Sequence, residues 1–139
     1  MPPLTRLFIK TSLIWLGLSL FTGIALAANA VWDLPALFGV LGPVFFHLFL
    51  VGWVTQLIFG VVYWMFPKYS QEKPRGQEGV AWAIFWLLNS GLALRAVGEP
   101  WQALQPGALG GWTLAVSALL QWVAGLLFVV ITWGRVKER

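Results

Sequence analysis

Two side chains stand out by where they fall. His47 is the only histidine among 139 residues, and it lies inside the apolar run "PVFFHLFLVGWVTQLIFGVVYWMFP", Pro43 to Pro67. Arg95 lies near the end of a second apolar run, four residues before Glu99. An imidazole in such surroundings has a short list of uses. It can donate to a carbonyl of a neighbouring segment, relay protons, or ligate a metal through one ring nitrogen. A relay needs further titratable groups at the same depth. Asp33, Glu72, Glu78, Glu99 and Glu138 all read as lying at or outside the ends of the apolar runs. No histidine–carboxylate pair is therefore expected, and acid–base catalysis of the kind found in soluble enzymes has no support.

The elements that hold these residues follow from composition. The chain is 59% hydrophobic and 10% charged, against about 25% charged in soluble domains. Its solvent must be lipid. A helix crosses the hydrocarbon core with about 20 mostly apolar residues. Four segments meet that length, at about 7–28, 42–66, 80–97 and 109–133. Each must satisfy its own backbone in lipid, so each is a helix. The expected fold is all-α, a polytopic membrane four-helix bundle spanning 1–139 as a single domain. "PKYSQEKPRGQEG" is the one strongly polar loop, and "GEPWQALQPGALGG" is a weaker break. Arg6 and Lys10, then Lys68, Lys73 and Arg75, then Arg135, Lys137 and Arg139 fall on one side of four spans. The positive-inside rule puts both termini in the cytoplasm. The first span has a basic start and ends near "ALAANA", like a signal peptide, but its apolar stretch is longer than a signal core and it reads as a retained helix. The net charge of +4 comes from these flanking residues and does not point to nucleic acid. Cysteine is absent, which excludes disulfides, thiolate metal centres, Fe–S clusters and covalent haem attachment.

Small and polar residues recur at helical spacing on each span. Ser12, Ser19 and Gly23 mark the first, and Gly52, Gln56 and Gly60 the second. Asn89 lies with Gly91 and Ala93 on the third, and Thr113, Ser117, Gln121 and Gly125 mark the fourth. Such ridges are packing seams in membranes, because small residues let backbones approach. Trp32, Trp101 and Trp112 suit one membrane interface, and Trp64 and Trp133 the other.

His47 lies about one to two turns inside its helix. On an α-helix its face continues through Val51, Val54, Thr55 and Ile58, away from the Gly52/Gln56/Gly60 ridge. It is thus expected on an apolar surface of its own. Three readings compete. The histidine is structural, or it serves transport or another metal, or it is an axial haem ligand. A haem needs an imidazole in an apolar slot with aromatics, and a cation near the propionates. Phe45, Phe46, Phe49 and Trp53 supply aromatics, and Arg95 lies at nearly the same depth. The competing use of Arg95 is an i,i+4 pair with Glu99.

The second span resembles a helix of the catalytic subunit of haem–copper oxidases, above all the C-family oxidases and the related nitric oxide reductases. The family pattern there is roughly H-x-H-x4-G-W-x6-G-x2-Y-x3-P. This chain supplies His47, Gly52, Trp53, Gly60, Tyr63 and Pro67 at that spacing. The resemblance is clear for this helix and fainter elsewhere. It implies one four-helix arc of a twelve-helix subunit, in a bacterial or archaeal cell membrane. It also implies that His47 corresponds to the ligand of the low-spin electron-transfer haem. The ligand of the reaction-centre haem is replaced by Phe45, and no histidines remain for copper or iron. A complete oxygen- or nitric-oxide-reducing centre is not expected. In the family, two arcs each give one histidine to the low-spin haem. A homodimer holding one haem b between two copies of His47 would repeat that arrangement.

Two other classes stay open. One is a cofactor-free accessory or assembly subunit of a respiratory oxidase, using its ridges for docking. The other is a small oligomeric transporter with Gln56, Asn89 and Gln121 along a path, a class that usually shows broken helices or intramembrane charges.

Overall fold

A computed structural model describes residues 1–68, 70–71 and 75–136. Glu72, Lys73, Lys137, Glu138 and Arg139 therefore lie outside the described residues. The chain is all-helical, with no strand among the described residues. Helix α1 runs Pro3–Asn29 and opens on a proline, whose missing N–H costs nothing in a first turn. A single short turn, α2, covers Ala36–Gly39. Helix α3 runs Gly42–Met65, and Phe66 turns extended before Pro67. Helix α4 runs Glu78–Leu104, with Glu78 in its first turn, and α5 runs Ala108–Trp133. Helices α1, α3, α4 and α5 are each long and apolar enough to cross a membrane, as in an integral membrane protein.

Two of these helices depart from the sequence reading. Helix α4 does not stop near Val97 but continues to Leu104 with Pro100 inside it. Proline removes one backbone donor, a loss that packed membrane helices tolerate. Here both Gly98 and Pro100 are buried. Helix α3 is not α-helical throughout. Its residues Leu48–Thr55 form a π-helix, between α-helical turns at Gly42–His47 and Gln56–Met65. Its wider turn, with hydrogen bonds five residues back, is echoed by the Thr55 hydroxyl, which donates to the Leu50 carbonyl at 2.8 Å.

Contacts fix an up-and-down order. The Gly60 backbone in late α3 lies against Phe8 and Thr5 of early α1, and Arg135 after α5 reaches the carbonyls at the end of α3. This is the terminal end of the bundle. At the opposite end, Phe45 lies over Gly23 of α1, and Thr113 and Leu114 of α5 lie over Gly98 of α4. Helix α1 packs along α3, α3 on α4, and α4 along α5, while α1 and α5 barely meet. The main core sits toward the terminal end and draws on all four helices, with Phe8, Phe59, Tyr63, Ile84, Phe85 and Ala124 buried together. Phe59 stacks on Phe128 at 3.7 Å between ring centres. A smaller cluster of Val44, Leu48 and Leu92 lies toward the other end.

Most of the small-residue ridges are seams. A methyl group on Gly52 would sit 2.7 Å from Trp15 Cβ and 2.8 Å from Leu92 Cδ2, and one on Gly60 would sit 2.8 Å from Phe8 Cβ. Gln56 between them is fully buried and donates to the Phe8 carbonyl at 3.4 Å. On the other pair, Gly91 lies against Ser117 and Gln121. Gly125 is the exception. A methyl group there would meet nothing within 4 Å, and Ala124, fully buried, takes the place in the core. Trp32, Trp101 and Trp112 are exposed at one end, and Trp64 and Trp133 at the other, as expected of two interfacial belts.

Arg135 is 1% exposed. Its Nη2 donates to Tyr63 and Phe66 carbonyls at 3.2 and 2.8 Å, and its Nε to the Pro67 carbonyl at 3.0 Å. The guanidinium thereby satisfies carbonyls that the end of α3 leaves open. Burial lowers its pKa from the ordinary value, though a guanidinium stays charged.

Arg135→Ala should lower stability by about 2 kcal/mol or more through lost charged hydrogen bonds, with Arg135→Lys intermediate, read from thermal melts of the detergent-solubilised protein. In the same assay Gly52→Ala should cost about 1–3 kcal/mol by overpacking. Gly125→Ala should leave stability unchanged or raise it by up to about 1 kcal/mol.

Candidate functional site

The end opposite the chain termini holds a polar cluster in an otherwise apolar bundle. The extended α4 carries Arg95 and Glu99 one helical turn apart, and Arg95 Nη1 donates to Glu99 Oε1 at 3.3 Å. Glu99 reaches across to α3, where its Oε1 lies 3.0 Å from His47 Nδ1. The same Nδ1 lies 2.9 Å from the Pro43 carbonyl, one turn back along α3. On the far side of the ring, Arg95 Nη1 lies 3.4 Å from Nε2. The side chains of Glu99 and Arg95 are 10% and 18% exposed, and that of His47 is 32% exposed.

This arrangement overturns the expectation that His47 faces an apolar surface without a carboxylate partner. The expectation assumed about 100° of rotation per residue, as in an α-helix, and a third span that ended before Glu99. The π-helix starting at Leu48 turns less per residue, and α4 runs on past Pro100. Together they bring imidazole and carboxylate into contact.

The hydrogen-bond pattern assigns the tautomer. Both neighbours of Nδ1 are acceptors, a carbonyl and a carboxylate, so Nδ1 carries the proton and donates. The neighbour of Nε2 is a guanidinium, which can only donate, so Nε2 presents its lone pair. In that pattern Nδ1 is the donor, and Nε2 is the nitrogen placed to act as a base or ligand.

Ser117 of α5 completes the cluster. Its hydroxyl donates to the Gly91 carbonyl at 2.6 Å and accepts from Arg95 Nε at 3.3 Å and Gln121 Nε2 at 3.1 Å. One donor and two lone pairs are all in use. Gln121 and Ser117, read as packing residues, therefore also anchor Arg95. Nearby, Trp15 Nε1 of α1 donates to Asn89 Oδ1 of α4 at 2.8 Å, and Asn89 in turn donates to the Phe85 carbonyl. Gln56 and Asn89 are thus held in helix contacts within the bundle.

An imidazole that ligates iron typically has its other N–H held by a carboxylate or carbonyl, with the ligating nitrogen bare. His47 fits that donor set, and Arg95 places a cation beside it for a propionate. The contact Arg95 would give up, at 3.4 Å, is long, while Glu99 and Ser117 would still hold it. Phe49 and Trp53 make their contacts with other aromatics. Their rings pack with each other, at 4.8 Å between centres, and Phe49 stacks on Phe45, which lies over Gly23 of α1. Within the chain, the imidazole and the cation come together.

What sequence reasoning missed is Glu99. Its signal was the i,i+4 spacing to Arg95, which was read as a surface pair.

Ser117→Ala should destabilise the protein by about 1–3 kcal/mol, because the Gly91 carbonyl, Arg95 and Gln121 each lose a buried partner. A Ser117→Ala/Arg95→Met double-mutant cycle read by thermal melting should give a coupling of about 0.5 kcal/mol or more. No family model matches this chain, and no curated protein or solved structure was found to be similar to it.

Proposed function

We propose that this chain is a small membrane haem protein, resembling one arc of the haem–copper oxidase catalytic subunit, in which Nε2 of His47 ligates a low-spin b-type haem. The observation that carries the reading is the placement of Nδ1: the Pro43 carbonyl accepts from it and the Glu99 carboxylate lies 3.0 Å away, which leaves Nε2 as the nitrogen a haem iron would use. Arg95, anchored by Glu99 and Ser117, would pair with a propionate. A haem so held would supply one-electron transfer, not reduction of oxygen or nitric oxide, since Phe45 stands where the family has the ligand of the reaction-centre haem and no other histidine exists.

The second axial ligand would come from another molecule, since the chain has no other histidine. A two-fold homodimer offers a second His47, and His47 is the most exposed member of the cluster. We place both termini on the cytoplasmic side of a bacterial or archaeal cell membrane, from the basic residues Arg6, Lys10, Lys68 and Arg75 around the terminal end.

A second reading has its own observation. His47, Arg95 and Glu99 bind one another within a single chain. That closed set would suit a cofactor-free accessory or assembly subunit of a respiratory oxidase.

Expression with ample haem, followed by oxidised and reduced absorption spectra in detergent, separates the two. The haem reading expects a Soret band and a sharp reduced α band, both lost in His47→Ala. Protein of native stability with no Soret band would leave the accessory reading.

A further inference from the structure

The cluster contains a group whose placement ordinary packing does not explain. Glu99 is a carboxylate, nine-tenths buried, in the last third of a membrane-length helix. Its Oε2 is buried and has no hydrogen-bond partner. A pair with Arg95 alone would be made more cheaply by letting both side chains snorkel toward water at the helix end. Instead Glu99 turns into the bundle and spends Oε1 on both Arg95 and the His47 ring.

We infer that Glu99 is a positioning residue for His47: it orients the imidazole through Nδ1–H and makes Nε2 a stronger electron donor. The Pro43 carbonyl already suffices to fix the tautomer, because it accepts from Nδ1 at 2.9 Å. What the carboxylate adds is a negative charge on the ring's far side. That charge polarises Nδ1–H and pushes density toward Nε2. It also ties the ring to α4, so the direction of Nε2 depends on how α3 and α4 are packed, not on the rotamer of His47 alone. Ser117 and Gln121 from α5, the other polar side chains that anchor Arg95, are neutral, so among these contacts Glu99 is the one carboxylate.

Under the haem reading, on which this part rests, the charge favours the ferric over the ferrous state. The haem's potential is lowered and ferric affinity raised. Because the chain has a single histidine, the ring can also be observed without any cofactor.

Two variants separate charge from shape. Glu99→Gln keeps the size and the acceptor oxygen but removes the charge. Glu99→Leu removes both. The full-length protein in detergent is titrated with ferric haem, its midpoint potential is measured with redox mediators, and the haem-free protein is labelled with 15N-histidine for NMR. Glu99→Gln should bind ferric haem about 10-fold or more weakly, with a higher midpoint potential, and Glu99→Leu should be weaker still. In the haem-free protein the Nδ1 resonance should shift in both variants. Unchanged affinity, potential and Nδ1 resonance in Glu99→Gln would overturn the inference while leaving His47 as a ligand. A wild-type protein that binds no haem but whose Nδ1 resonance moves in Glu99→Gln would overturn the ligand reading and uphold the positioning of the ring.

Discussion

A carboxylate inside an apolar bundle must be neutralised and hydrogen-bonded where it stands, and Glu99 is the group on which the polar end of this protein turns. Its charge is balanced by Arg95 on the same helix. Arg95 in turn needs donors' partners of its own, and finds the Ser117 hydroxyl on α5. Ser117 is committed to the Gly91 carbonyl, which lies in the α4–α5 seam. On the other side Glu99 reaches His47 on α3. Three helices are thus locked by one chain of polar contacts that water would otherwise have to supply. The rest of the bundle is ordinary by comparison. Phenylalanine and leucine fill the core toward the termini, and small residues let the backbones close.

The two ends solve the same problem differently. At the terminal end Arg135 is buried against backbone carbonyls and pairs with no carboxylate among the described residues; the carbonyl end of a helix, already partly negative, receives its charge. At the other end cation and anion are both present, with a titratable ring between them. The first arrangement is static. The second leaves one nitrogen lone pair facing a weak contact, which is why chemistry is sought there.

Much of the fold was legible, and the reasons are physical. Lipid forces long apolar runs to be helices, so the four spans could be read from hydropathy alone. Gly52, Gln56 and Gly60 could be read as a seam because spacing of four residues keeps them on one side of a helix. Gly125 could not be separated from Ser117 and Gln121 by spacing, since the sequence does not say which side of a helix its neighbour occupies. His47 was found by being the only one of its kind, yet its surroundings were misjudged. No residue pattern announces the π-helix, and the stretch from Gly98 to Gly111 reads only as a weak break, although the helix runs through its first part. Both depend on packing between helices, which sequence periodicity does not carry. Arg135 reads from sequence only as one of the flanking charges that set orientation, because nothing local distinguishes a free arginine from one aimed at another helix's end.

The π-helix at Leu48–Thr55 has a consequence for how this helix can vary. It works as a phase shift between two straight rods. The rod below it is indexed to α1 through Gly60 and Phe8, and the rod above it is indexed to α4 through His47 and Glu99. A plain α-helix of the same sequence could satisfy one of those indices only by rotating the other out of contact. Loss of a single residue between Leu48 and Thr55 would let the segment close into plain α-helical turns while keeping both rods near their present phase, so the wider turn is where this helix accommodates one residue more than a straight rod would hold.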